Sequence, residues 1–208
     1  MIKNSGTMDY EEKTQNKGGS ISEPHKLYDL IYTDPAWSYN KKIGQGIADD
    51  QYDTMDLEEI KSLPINNMLK DDAVVYMWAV FPMLKEAFEV IEAWGLEYVT
   101  VGFNWIKLND NGSAFFGIGH HTKSNGEICL LLRKGKGLQV KDNTISQVIL
   151  NKKDTHSKKP SVCYSYLERL YPNTDKIEMF ARHKREGWDT WGNQVPKEEQ
   201  KILQLKGQ

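Results

Sequence analysis

The chain has 208 residues, 39% of them apolar and 27% charged, with a formal net charge of -2. That length suits one sizeable domain or at most two small ones, and the near-neutral balance excludes a global electrostatic pull toward nucleic acid, so any such binding needs a local basic patch. No apolar run nears the roughly 20 residues of a membrane helix and the N-terminus lacks an apolar signal core, so the expected compartment is the cytoplasm, with no membrane partner.

Residues 1–25 are polar and read as a disordered leader; residues 197–208 read as a short tail. The folded part begins near Lys26. "KLYDLIYTD" reads as a buried strand ending at Asp34, followed by a loop through about Tyr52. "DLEEIKSL" predicts a short helix capped by Asp56. The continuous apolar run of residues 72–80 predicts a central strand. In "FPMLKEAFEVIEAWG", Leu84, Phe88, Ile91 and Trp94 recur at helical spacing, and Gly95 supplies the C-terminal cap. Strands are expected over residues 97–107 and 126–135. A helix follows in "KKPSVCYSYLERLYP", then a strand over residues 175–182 and a short closing strand in "GWDTWGN". Cys129 and Cys163 lie in apolar contexts and read as reduced core residues.

Strands that alternate with helices, several of them apolar on both faces, imply an α/β fold with a mostly parallel sheet. In such sheets ligands bind outside the carboxyl ends of the strands. Asp34, Trp78, Lys107 and Arg182 all fall at or near predicted strand ends, which places them to line one crevice.

The motif series now assembled resembles the MT-A type N6-adenine methyltransferases. That family's acidic motif is Asp-Pro-Pro-Trp; here it reads Asp34-Pro35-Ala36-Trp37. The match continues in order through "QYDTMDLEEI", "VVYMWAV", "AWGLEYVTVGFNWIK", "GHHTKSNGEICLLLRKG", "HSKKP", "YLERLYP", "IEMFAR" and "GWDTWGNQV". The resemblance implies a methyltransferase domain over residues 26–196, with a Rossmann-like fold that uses S-adenosylmethionine. It implies a permuted motif order, with the acidic motif first and the cofactor strand, here "IEMFAR", near the end. That strand carries no glycine-rich fingerprint.

The exocyclic amine of adenine is a poor nucleophile because its lone pair is delocalised into the ring. Acceptors on its two hydrogens draw electron density back to nitrogen. The resemblance assigns one acceptor to the Asp34 carboxylate and the other to the Pro35 carbonyl, aimed by the fixed φ of proline. Trp37 would stack on the base. For the cofactor, Asp34, Lys159, Arg182, His183, Asn193 and Gln194 match family positions, Lys159 as a cation for its carboxylate. Tyr52, Trp78, Trp105 and Lys107 match positions around the target base. Glu127 recurs in the family strand as a loop brace. Five histidines and two cysteines are scattered without zinc-like spacing, so no metal is expected. Lys41, Lys42, Lys123, Lys184 and Arg185 are candidates for phosphate contacts.

The expected partner is nucleic acid, with DNA favoured over RNA, and the resemblance leaves room for a homodimer or a related partner subunit. Two other readings stay open on sequence. One is a non-catalytic partner subunit of the same fold, which the presence of Asp34 and Trp37 opposes. The other is a cytosine amino-methyltransferase, which usually carries Ser at the first motif position.

Overall fold

The computed structural model describes residues 26–38, 55–119, 121–153, 158–192 and 195–196. The leader, the tail, Tyr52, Asn193, Gln194, Lys41 and Lys42 lie outside the described residues. Seven strands form one sheet: β1 (Tyr28–Thr33), β2 (Leu69–Ala79), β3 (Glu97–Leu108), β4 (Gly126–Lys134), β5 (Val148–Lys152), β6 (Lys176–Met179) and β7 (Asp189–Trp191). Their spatial order is β5-β3-β4-β2-β1-β6-β7. Only β4 runs against its neighbours β2 and β3; the β1–β2, β1–β6, β6–β7 and β3–β5 pairs are parallel. The expected α/β class with a mostly parallel, Rossmann-like sheet is therefore what forms.

The apolar run in β2 is continuous because both of its faces are covered. Ala73, Val75, Met77 and Ala79 pack on one side with Ile60, Ile65, Ala87, Val90 and Trp94 from helices α1 (Leu57–Lys61), α2 (Ile65–Met68) and α3 (Leu84–Ala93). Val74, Tyr76 and Trp78 pack on the other with Cys163, Leu167 and Leu170 of α4 (Val162–Leu170). This period-two division is the pleat of a strand buried between two layers. Both cysteines are free and buried, as their apolar contexts predict.

Local chemistry sets the helix ends. Asp56 and Glu59 form a reciprocal capping box, each side chain bonding the other's backbone N–H at 2.8 Å. Gly95 adopts φ 64°, and the N–H groups of Gly95 and Leu96 bond the carbonyls of Glu92 and Ile91. That is the paired-bond helix stop which a left-handed residue permits.

Four differences from the sequence reading have physical causes. Phe88 is not on the core face of α3; that face is Ala87, Val90 and Ile91, and Phe88 packs edge-on against Tyr98 at the surface. β2 starts at Leu69 rather than residue 72, because polar Lys70, Asp71 and Asp72 lie on its half-exposed entrance. β5 is absent from the sequence reading; it is a five-residue edge strand that buries Ile149 alone and exposes Val148 and Leu150, so apolar and polar residues do not alternate along it. β6 ends at Met179, not residue 182, because Phe180 turns to φ 61°.

Gly95→Ala forces a side chain into the left-handed region, with its Cβ 3.2 Å from Asn66 Nδ2. It should destabilise the protein by about 1–2 kcal/mol, measured by urea denaturation. A neutral change would mean that the C-terminus of α3 can refold without the turn.

Candidate active site

Parallel pairing brings together residues that are far apart in the chain. Thr33 at the end of β1 is in register with Met77 of β2 and with Met179 of β6. One residue further on, Asp34, Trp78 and Phe180 stand side by side at the carboxyl edge of the sheet. A cleft opens there, lined among others by Tyr32, Asp34, Lys159, Glu178, Phe180 and Arg182. Of the four residues expected to line one crevice, Asp34 and Arg182 line this cleft, Arg182 from beyond the end of β6, while Trp78 is buried and Lys107 pairs with Glu127; His183, Lys184 and Arg185 continue the cleft wall.

A chain of alternating charges anchors the site. The Lys159 ammonium lies 2.7 Å from Asp34 Oδ2 and 3.2 Å from Glu127 Oε2. Lys107 in turn bonds the other oxygen of Glu127. Each lysine also lies over an indole, Lys159 at 5.5 Å from the Trp78 ring centre and Lys107 at 5.0 Å from that of Trp105, where the ring face attracts a cation. The Asp34 side chain keeps 29% of its surface exposed, while Lys159, at 12%, is nearly enclosed.

These neighbours set the titration. Burial pushes the Asp34 carboxyl up, against the pull of Lys159 and Arg182, and the net direction is upward. For Lys159, burial alone would favour the neutral amine, but Asp34 and Glu127 outweigh it and raise its pKa. Burial likewise opposes ionisation of Glu127, yet Lys159 and Lys107 hold it below the ordinary value. The lysine and Glu127 therefore stay charged, and Asp34 is the member nearest to accepting a proton.

The loop after Asp34 is braced by its own backbone. The Trp37 N–H donates to the Pro35 carbonyl at 2.8 Å, and the Met55 N–H donates to the Ala36 carbonyl at 3.1 Å. Trp37 bridges to Met55 in parallel, and its indole N–H donates to the Trp78 carbonyl at 3.1 Å. These bonds supply at Ala36 some of the restraint that a second proline would give. Trp78 and Trp105 are 1% and 3% exposed and form the floor beneath the two lysines rather than an open wall. Their indole N–H groups donate to the Tyr32 hydroxyl at 2.7 Å and the Asn151 carbonyl at 3.0 Å.

Three features of the cleft were not read from sequence. Glu178 lines it from β6 and accepts the Tyr164 hydroxyl at 2.7 Å; a glutamate inside an otherwise apolar strand was the available signal. The Arg185 guanidinium lies 3.7 Å from the centre of the Tyr164 ring. Phe180 takes a left-handed φ of 61° without being glycine, which costs energy and is found where function compensates strain. Its ring packs edge-on against Trp191 at 5.3 Å.

An acid and a lysine share one cleft at the carboxyl ends of a mostly parallel sheet, where open α/β sheets bind their ligands. Residues 28–194 match the MT-A70 family model. The chain is 31% identical over 192 residues to the Type II methyltransferase M.MunI of Mycoplasma sp, covering 83% of this chain and 80% of that protein. It is 27% identical to the N6-methyladenosine RNA methyltransferase MTA1 of Cryphonectria parasitica, spanning 53% of that protein. It is also 27% identical to the N(6)-adenine-specific methyltransferase METTL4 of Mus musculus, spanning 38% of it. The chain belongs to the MT-A70 family and is a methyltransferase.

Lys159→Met leaves Asp34 without its hydrogen-bonded cation, with only the weaker pull of Arg182, and Glu127 with one lysine. Breaking a buried pair should cost about 3 kcal/mol at pH 8. The sign with pH follows from linkage. Without Lys159 the folded-state pKa of Asp34 rises further above its ordinary 3.8, and a raised carboxyl favours the folded state as pH falls. The deficit should therefore narrow between pH 8 and pH 5 in urea denaturation. A deficit independent of pH would show that Lys159 does not control the ionisation of Asp34.

Proposed function

We propose that the protein transfers a methyl group from S-adenosylmethionine to the N6 amine of adenine in nucleic acid, with DNA favoured over RNA. The observation that carries this reading is Asp34 at the edge of β1, held by Lys159 through Oδ2 and facing the cleft it shares with Glu178, Phe180 and Arg182. The preference for DNA rests on identity: the chain is 31% identical to the relative named a Type II methyltransferase and 27% identical to the relative named for RNA.

The residues present suit the proposed cofactor. Its amino-acid end carries an ammonium and a carboxylate, and Asp34 and Lys159 offer the opposite charges 2.7 Å apart. An ammonium has three donors; Asp34 and Glu127 take two from Lys159, which leaves one for a ligand carboxylate. Phe180, Arg182 and His183 follow on the same wall for the ribose side. The cofactor would supply an electrophilic methyl group.

The protein's share is to aim and polarise the amine. Lys159 engages Oδ2 of Asp34, so the other carboxylate oxygen serves as one amine acceptor. The Pro35 carbonyl has two lone pairs, one used by the Trp37 N–H, and the second serves as the other acceptor. Asp34, its carboxyl held upward by burial, is also the base beside the nitrogen that must lose a proton. Trp37, fixed through its indole N–H to Trp78, offers a ring face to the base.

Asp34→Asn turns one acceptor edge into a donor and should nearly abolish transfer. Trp37→Ala keeps both acceptors and removes the stacking face, worth about 1–3 kcal/mol, so transfer should slow roughly ten- to a hundredfold with little change in cofactor affinity. Both are measured with labelled donor and a mixture of DNA and RNA, followed by identification of the methylated nucleoside and by calorimetry for the cofactor. Near-normal transfer by Asp34→Asn would overturn the mechanism.

A further inference from the structure

Between β3 and β4 the chain makes a hairpin whose described residues are 109–119 and 121–125. Its root is the active site itself. Lys107 and Glu127, which carry the charge chain, are the residues just outside it on either strand, and the Lys107 N–H donates to the Asn125 carbonyl at 2.9 Å. The hairpin is held by its backbone. Phe115 N–H donates to the Lys107 carbonyl at 2.8 Å, and Gly117 N–H to the Ser124 carbonyl at 2.7 Å. At the tip, Gly119 approaches the Thr122 carbonyl so closely that a Cβ would not fit, which makes the turn tight.

This restrained hairpin presents apolar side chains to water. Ile118 is 98% exposed and Phe116 66%. The two flank Gly117, which bridges to Ser124, and Phe116 follows directly on the residue whose N–H bonds the Lys107 carbonyl. Phe81, also exposed, lies against Gly126 at the root. The charges around the hairpin are mainly positive. Lys123 is exposed near the tip, and Lys153 stands 4.7 Å from the Phe115 ring centre. Lys152 has Asp110 at 3.5 Å.

Apolar side chains held out on a braced hairpin, beside cations and rooted at the charge chain that holds Asp34, match one kind of occupant. We propose that Phe116 and Ile118 form a wedge that enters the base stack of duplex DNA next to the target adenine and holds open the gap left when that base turns into the cleft. Wedges of Phe, Ile or Leu between base steps unstack and kink a duplex. A base inside a duplex must leave the stack before its amine can reach Asp34. Lys123 and Lys153 would face the phosphates on either side of the inserted side chains. This role rests on the proposed adenine methylation of nucleic acid.

The test uses the full chain and one plasmid DNA free of adenine methylation, in duplex form and heat-denatured. The double variant Phe116→Ser, Ile118→Ser touches only exposed side chains, so its melting temperature should match that of the parent. It should lose at least tenfold in transfer to the duplex and less than twofold in transfer to the denatured DNA, where the base is already unstacked. Equal loss on both substrates, or no loss on the duplex, would overturn the wedge. So would a parent protein active only on denatured DNA, and in that case the adenine reading would stand without it. A parent inactive on both would bring down the adenine reading and the wedge together. Sedimentation of both proteins covers the rival occupant: a dimeric parent with a monomeric variant would make the tip a contact between copies of this chain and overturn the proposal.

Discussion

The alternating charges of Asp34, Lys159, Glu127 and Lys107 join four parts of the chain: the end of β1, the lead-in to α4, the start of β4 and the end of β3. Each charge taken from water costs several kcal/mol unless a partner and further hydrogen bonds replace the lost solvation. Alternation meets that demand, because each inner member has two opposite neighbours. The indoles of Trp78 and Trp105 add a second attraction beneath the lysines. Removing one member leaves its neighbours desolvated and unbalanced, so the four segments hold a common geometry. The outer acid, Asp34, is the member left partly open, and it is the one that faces the cleft.

Beneath this ladder the floor is aromatic yet fully hydrogen-bonded where it is polar. Trp78 bonds the Tyr32 hydroxyl, Trp105 bonds Asn151, and Trp37 bonds the backbone of Trp78. Tyr32 in turn meets the Tyr164 and Trp188 rings edge-on. Large flat side chains with their donors satisfied leave few alternative packings. A rigid floor keeps the lysines at fixed height, and through them Asp34. The strained turn at Phe180 completes the opposite wall, doing with an aromatic residue what a glycine would do with less strain.

The order of strands explains how a permuted chain builds the same kind of site. β1 opens the described chain and β6 comes near its end, yet they are hydrogen-bonded neighbours in the sheet. In a parallel sheet the position of a strand end depends on its neighbours and direction, and the order in which the chain visits the strands does not enter. The acidic motif and the late strand can therefore exchange places in sequence without moving in space.

Much of this was legible from residues alone. The helix cap at Asp56 and the helix stop at Gly95 are local, and local sterics and hydrogen bonding suffice to write them into the sequence. The mostly parallel sheet follows from strands apolar on both faces, and the place of Asp34 at a cleft follows from a strand end in such a sheet, whereas Trp78 and Lys107, expected to line the same crevice, go to the buried floor and to the charge chain. Tertiary structure alone decided the rest. Glu178 and Tyr164 meet across the cleft, Lys159 turns to Asp34 and Glu127, and Phe180 takes a left-handed turn. Phe88 goes to the surface and β5 joins the sheet edge. Each of these outcomes is a contact between residues distant in sequence. Its energy depends on burial and on which opposite charge or ring arrives alongside, and neither quantity exists until the chain has folded.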